Sequence, residues 1–348
     1  MIYLFLYADS FRKSALEELG KVGSPRIISE QHNLMIADIS SRKIRELDGA
    51  TFIYGYFPLV EGYEIDQKRY INSIKKGFYR LGLDKKEPLR LECFDVNCKR
   101  GYSAKDIEVA IGKELEGLRY SIDLKSADTL AYCVLMDSKC YWGRINIATH
   151  PHGFIDPFRE NKEKKVSRAE FKIIEAFREF GIKAPKIAID IGAAPGGWSL
   201  FLAKKGASVI AIDSGRLEYD KIRKEGVGVR IIKDVKHFGI ARNGPRPGSI
   251  VHLVCRLDKA YPALYGLEVD LVGDDINAGG IESASAVMMY SRLMRRGAML
   301  IMTLKCMHKN VGIYMKEVEA RIGPKFNIRR WKVLPHNRQE ITLFAVRK

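Results

Sequence analysis

The residues best suited to chemistry begin with one stretch, Asp190-Ile-Gly-Ala-Ala-Pro-Gly-Gly-Trp198. Gly192, Gly196 and Gly197 carry no Cβ, so backbone in this turn can approach a ligand closely. A dinucleotide fingerprint fits poorly, because its first two glycines stand one residue apart. Three residues separate Gly192 from Gly196, and no Gly-Lys-Ser/Thr follows to make a phosphate-cradling loop. The turn leaves the apolar run Ile187–Ile191, which reads as a strand buried on both faces. Open α/β sheets bind nucleotide-like ligands beyond such strand ends. Carboxylates close the next strands. Asp213 follows Ser208–Ile212, where it can accept from ribose hydroxyls, and Asp234 follows Val229–Ile232, placed to accept from an adenine amino group. Lys305 ends the apolar strand Ala298–Leu304, and lysine is almost never buried without a partner.

The elements that position these side chains alternate from Ser167 to the end. Ser167-Arg-Ala-Glu170 reads as a capping box, opening a helix with Phe171, Ile174, Phe177 and Phe180 on one face. Strands are expected at Ile187–Ile191, Ser208–Ile212, Val229–Ile232, Val269–Val272 and Ala298–Leu304, with a helix near Ser283–Met294. Phe326–Leu334 and Glu340–Val346 close the chain around a Pro335-His-Asn-Arg turn. This alternation specifies an α/β fold, a mainly parallel sheet with an antiparallel carboxyl-terminal edge. Arg242–Glu268 is longer than a compact core needs. The earlier residues divide into a small α+β unit (1–58), a second α+β unit (59–149) and a linker (150–165). The second unit contains strand Pro88–Asp95, a helix from Ser103 with Asp106 completing its cap, strand Ser121–Leu124, and a hairpin from Thr129–Met136 to Lys139–Gly143. Lys162, Lys164, Lys165 and Arg168 form a basic cluster at the entrance to the last unit, suited to following a phosphate backbone.

The Asp-x-Gly-Ala-Ala-Pro-Gly-Gly-Trp stretch resembles the S-adenosylmethionine loop of the FtsJ-like ribose 2′-O-methyltransferases. The resemblance implies a Rossmann-like sheet whose cofactor pocket uses Asp190, Gly192, Ala193, Pro195, Gly196, Gly197, Trp198, Asp213, Asp234 and Asp274. Asp190 would lie near the cofactor's ammonium group. In that family a Lys-Asp-Lys-Glu tetrad carries the reaction. Ser167-Arg-Ala-Glu-Phe-Lys172 matches the first lysine element, Asp270-Leu-Val-Gly-Asp274 the aspartate, Leu300-Ile-Met-Thr-Leu-Lys305 the second lysine, and Asn337-Arg-Gln-Glu340 the glutamate. Lys305 would be the general base, its neutral form favoured by the neighbouring Lys172 cation and by partial desolvation. Asp274 and Lys172 would orient it and the hydroxyl, and Glu340 would balance charge. The family reads hydrophobic-x-Pro after its aspartate, whereas Asp275-Ile-Asn277 follows here, so Asp275 is the alternative catalytic member.

Residues 59–149, with Ala127-Asp-Thr-Leu130 leading into an aromatic hairpin, resemble a THUMP domain, an RNA-docking module commonly joined to a ferredoxin-like unit. The whole arrangement is similar to the RlmM-type cytidine 2′-O-methyltransferases of large-subunit ribosomal RNA. It implies a structured RNA partner, ribosomal RNA first and tRNA second. An RNA-binding assembly factor with an inactive methyltransferase domain is the alternative from another class.

Composition agrees with an RNA partner. The chain has 348 residues and a formal net charge of +17, an excess whose self-repulsion calls for a polyanion. No run approaches the ~20 apolar residues of a membrane span, and the amino terminus lacks the basic start of a signal peptide. The six cysteines contain no C-x-x-C pair, which suits reduced thiols in a cytoplasmic protein. His150-Pro-His152 has no companion ligands, so no metal is expected. The remaining expectation is a monomer.

Overall fold

The computed structural model describes residues 1–40, 42–64, 70–96, 103–124, 126–136, 139–150, 166–239, 244–306, 310–337 and 339–348. The chain divides into two units, Met1–Asp156 and Pro157–Lys348. The expected linker and Lys162, Lys164 and Lys165 fall almost wholly outside the described residues.

In the first unit, chain order is β1 (Ile2–Tyr7), α1 (Arg12–Val22), β2 (Arg26–Gln31), β3 (Leu34–Asp38), β4 (Ile53–Glu64), α2 (Tyr70–Arg80), β5 (Leu89–Asp95), α3 (Ala104–Gly117), β6 (Thr129–Leu135) and β7 (Lys139–Asn146). All seven strands join one sheet, in the order β2-β3-β1-β4-β7-β6-β5. β4 makes this possible. Its first half pairs with β1, Tyr7 opposite Ile53 and Ile2 opposite Leu59, and its second half pairs with β7, Val60 opposite Trp142. The boundary expected at residue 58 therefore lies inside a continuous strand. The capping box of α3 forms as expected: the Asp106 N–H donates to Ser103 Oγ (3.1 Å) and the Ser103 N–H to Asp106 Oδ2 (3.0 Å). Ser121–Leu124 is not a strand. Only Ile122 bridges to Leu89, because Asp123 turns the chain by accepting from the Ser126 N–H at 3.0 Å.

The second unit runs α4 (Ala169–Glu179), β8 (Ile187–Ile191), α5 (Gly197–Lys204), β9 (Ser208–Asp213), α6 (Tyr219–Lys224), β10 (Gly228–Ile232), β11 (Ser249–Val254), α7 (Leu257–Ala263), β12 (Val269–Asp274), α8 (Gly280–Tyr290), β13 (Met294–Lys305), α9 (Val311–Ile322), β14 (Phe326–Lys332) and β15 (Glu340–Arg347). Its eight strands lie in the order β10-β11-β9-β8-β12-β13-β15-β14. From β10 to β13 all neighbours are parallel, and β15 and β14 close an antiparallel edge. This is the expected Rossmann-like methyltransferase sheet. Chain order reverses between β8 and β12, which places a ligand crevice beyond the carboxyl ends of those strands.

Two expectations need correction here. The long stretch Arg242–Glu268 contains a strand, β11, inserted between β9 and β10. Its apolar run is broken by His252, which is nevertheless fully buried because its ring bonds to the Tyr219 hydroxyl at 2.8 Å and the Asp213 carbonyl at 3.1 Å. β10 is consequently an edge strand. The capping box at Ser167 also does not form. Arg168 occupies the cap position with helical dihedrals and no side-chain bond, and Glu170 Oε2 accepts instead from the Val166 N–H at 3.3 Å.

Close packing in the first unit yields a stability prediction. A Cβ on Gly77 of α2 would lie 1.9 Å from the Trp142 ring, and that ring is buried with its indole N–H bonded to the Ile74 carbonyl. Gly77→Ala should lower stability by about 1–3 kcal/mol through overpacking, measured as a shifted urea midpoint with unchanged slope.

Candidate active site

A cleft of about 860 Å³ opens at the point where strand order reverses. Gly192 and Ala194 form one wall. Asp213 ends β9 and Ser214 follows it, Cys255–Asp258 follow β11, Asp275–Asn277 follow β12, and Lys305 ends β13. Each strand thus delivers its first loop residues to the same mouth. Asp213 is set before any ligand arrives: Oδ2 accepts from the Ala194 N–H (2.9 Å) and Oδ1 from the Gly215 N–H (2.7 Å).

The glycine loop works differently from the expectation. Gly192 has φ +73° and lines the cleft, and a Cβ there would strike Ile276 at 2.6 Å. Gly196 and Gly197 face protein instead. A Cβ on Gly196 would meet Ile222 at 2.8 Å, and one on Gly197 would meet Ser167 Oγ at 2.5 Å. Those two glycines let α5 seat against its neighbours. Trp198 is buried, donates from its indole to the Ala169 carbonyl at 2.8 Å, and lies over Gly273. Ala193, Pro195 and Trp198 shape the loop without lining the cleft.

Two expected ligand carboxylates also lie elsewhere. Asp190 is buried beneath the loop and accepts from Ser199 Oγ at 2.5 Å. Asp234 is exposed beyond the edge strand β10 and caps a short turn through the Lys236 N–H at 3.1 Å. The strand beside β9 is β11, so Cys255–Asp258 occupy the place assigned to Asp234. The unrecognised strand concealed these four residues.

The charged centre comes from α4, β12, β13 and β15. Lys172 is only 4% exposed, so it needs partners. Its Nζ lies 3.1 and 3.3 Å from the two Asp275 carboxylate oxygens and 2.7 Å from Glu340 Oε2. Lys305 donates to Asn277 Oδ1 at 3.1 Å. Lys305 and Glu340 are cross-strand partners in the β13–β15 register, which fixes the second lysine beside the glutamate. Burial raises the Asp275 carboxyl above its ordinary range; Lys172 opposes that rise, Glu340 adds to it, and Lys305 lowers it. Both lysines therefore act on one carboxylate.

The aspartate in this centre is Asp275, and Asp274 is corrected to a supporting position. Asp274 is fully buried and accepts from Ser283 Oγ on α8 and from the Ile276 N–H at 3.2 Å. It holds the loop that presents Asp275 and Asn277. Arg168 is exposed at the start of α4. Among the described residues, no three His, Cys, Asp or Glu side chains cluster to hold a metal, and no helix is long and apolar enough to cross a membrane.

The sheet is Rossmann-like, with its cleft where strand order reverses. Residues 165–295 match the FtsJ-like methyltransferase family, so the second unit carries an FtsJ-like methyltransferase domain. An uncharacterized protein of Methanocaldococcus jannaschii is 24% identical over 82% of this chain and 79% of its own length. The ribosomal RNA large subunit methyltransferase M of Shewanella frigidimarina is 28% identical over 50% of each chain, so this chain spans about half of that relative. TrmN from Thermus thermophilus superposes over all of both chains with a TM-score of 0.41 and 12% identity. FtsJ-like methyltransferases use S-adenosylmethionine. The cleft fits that cofactor, lined by the Gly192 and Ala194 turn and holding a pre-set carboxylate at Asp213.

The buried carboxylates set a pH dependence. Burial, only partly offset by their serine partners, raises Asp190 and Asp274 each to about 7, against about 3.9 in an unfolded chain. Between those values the folded state binds protons that the unfolded state has released, so stability falls as pH rises from about 4 to 7. Asp190→Asn and Asp274→Asn should each flatten that decline, measured as the difference between variant and wild-type urea midpoints across the window.

Proposed function

We propose that the protein transfers the methyl group of S-adenosylmethionine to a ribose 2′-hydroxyl of structured RNA, with ribosomal RNA as the favoured substrate. The supporting observation is that Asp275 and Lys305 line the cleft while Lys172 pairs with Asp275 and Glu340 behind that wall, Glu340 standing opposite Lys305 across the strands. These are the same residue types as the tetrad of the resembled family. Backbone at Gly192 and Ala194, the Asp213 carboxylate and the Cys255–Asp258 loop would hold the cofactor. When bound, it supplies an activated methyl group on a sulfonium. Asp275 and Lys172 would orient the hydroxyl in line with that methyl. As the oxygen takes the methyl group, its proton would pass to the Lys305 amine, which Asn277 holds in place. Glu340 would balance the charge of the lysines. The first unit, with the basic segment entering the second, is proposed as the RNA-docking part. A net charge of +17 supports a polyanionic substrate.

Mass spectrometry of nuclease-digested RNA after reaction with the full chain should show a ribose-methylated nucleoside; a methylated base would overturn the assignment. Asp275→Asn should lower kcat by about a hundredfold or more, with cofactor affinity retained in calorimetry. Asp274→Asn keeps an acceptor for the Ile276 N–H and should stay within about tenfold of wild type. The reverse ranking would restore Asp274 as the catalytic aspartate.

A further inference from the structure

A second contact fastens the same two segments that the Lys172–Glu340 ion pair joins. His336 lies in the loop between β14 and β15, four residues ahead of Glu340. Its Nδ1–H donates to Glu175 Oε1 at 2.5 Å, and its backbone N–H donates to Glu175 Oε2 at 3.0 Å. The imidazole also stacks on Phe171, with ring centroids 4.4 Å apart and planes 16° apart. Phe171 precedes Lys172 and Glu175 follows it by three residues, so one histidine grips α4 on both sides of the buried lysine.

The grip is rigid at each end. Both oxygens of one carboxylate are committed to a single residue, which fixes ring and backbone together. The His336 and Glu175 side chains are only 10% and 11% exposed, so water competes little for the contact. On the far side, Asn337 donates from its backbone to the Leu334 carbonyl at 2.9 Å and from Nδ2 to Thr342 Oγ1 at 3.0 Å. The Asn337–Thr342 bond ties the chain on both sides of Glu340, so displacement at His336 is passed on to it.

We infer that His336 is a positioning residue, which clamps α4 to the β14–β15 loop and so holds Lys172 against Glu340 and Asp275. The clamp's catalytic consequence rests on the proposed methyl transfer. Misplacement of a reacting group by about 1 Å can cost a hundredfold in rate. A clamp one bond out of register therefore falls on kcat rather than on cofactor binding.

The test uses the full chain with His336→Asn and His336→Gln. The asparagine amide reproduces the position of Nδ1, and the glutamine amide does not. Acetic anhydride labelling of Lys172, followed by peptide mass spectrometry, reads the clamp without activity. Wild type and His336→Asn should remain protected, and His336→Gln should label several-fold faster. kcat should fall about tenfold or more in His336→Gln, stay within about threefold in His336→Asn, and leave the S-adenosylmethionine Kd unchanged in both. Equal behaviour of the two variants, in labelling and in kcat, would overturn the clamp. If His336→Gln fails to fold by circular dichroism, Glu175→Gln replaces it. That variant can satisfy only one of the two donors, so it should also expose Lys172; continued protection would overturn the inference. Absence of methyl transfer by the wild type on any RNA would remove the proposed function, and the labelling result would still decide the clamp.

Discussion

Burial of the Lys172 ammonium is the constraint on which the site depends. A buried charge is tolerated only when paired, and here the partners come from β15 and from the loop after β12. Three elements distant in sequence are thereby required to meet at one atom. Two carboxylates around one cation leave negative charge in a poorly solvated place, and Lys305, brought in by cross-strand register with Glu340, offsets it. The arrangement is chemically useful because it is electrostatically demanding: each member is held where another needs it.

The sheet supplies the precision. Parallel strands β8, β9, β11, β12 and β13 end at a common level, and the first loop residue or two of each enter the cleft. Beneath that surface, Asp190 and Asp274 act as struts. Each is buried at a strand end, and each accepts from a serine nine residues on, in the following helix. These carboxylates tie strand to helix under the two loops that form the cleft floor. Burial makes their charged forms costly, which raises both carboxyls.

Much of this was legible in the sequence where burial on both faces produced largely apolar runs that end in a functional turn or side chain. Ile187–Ile191 and the strand ending in Lys305 are such cases, and the alternation around them identified the sheet class. β11 was hidden because His252 interrupts its run, and only the Tyr219 and Asp213 contacts make that histidine acceptable in a core. With β11 between β9 and β10, Asp234 lies one strand farther from the cleft than its sequence order suggests. The glycines showed that space was needed but not what fills it: Ile222 and Ser167 approach two of them. Asp274 and Asp275 are consecutive, and residues at a strand end alternate between faces. Their roles could be separated only once the end of β12 was fixed. The capping box at Ser167 failed for a related reason, since Glu170 bonds to the Val166 N–H instead.

The continuous β4 strand has a different consequence, for modularity. Its amino-terminal half completes the sheet with β1 and its carboxyl-terminal half with β7, so no hinge lies between the leading α+β segment and the hairpin segment. Excision at the midpoint of Ile53–Glu64 would leave each fragment with a raw β edge, the kind of surface that templates association with other chains. Within this chain, the sheet from Ile2 to Asn146 is therefore one structural piece rather than two.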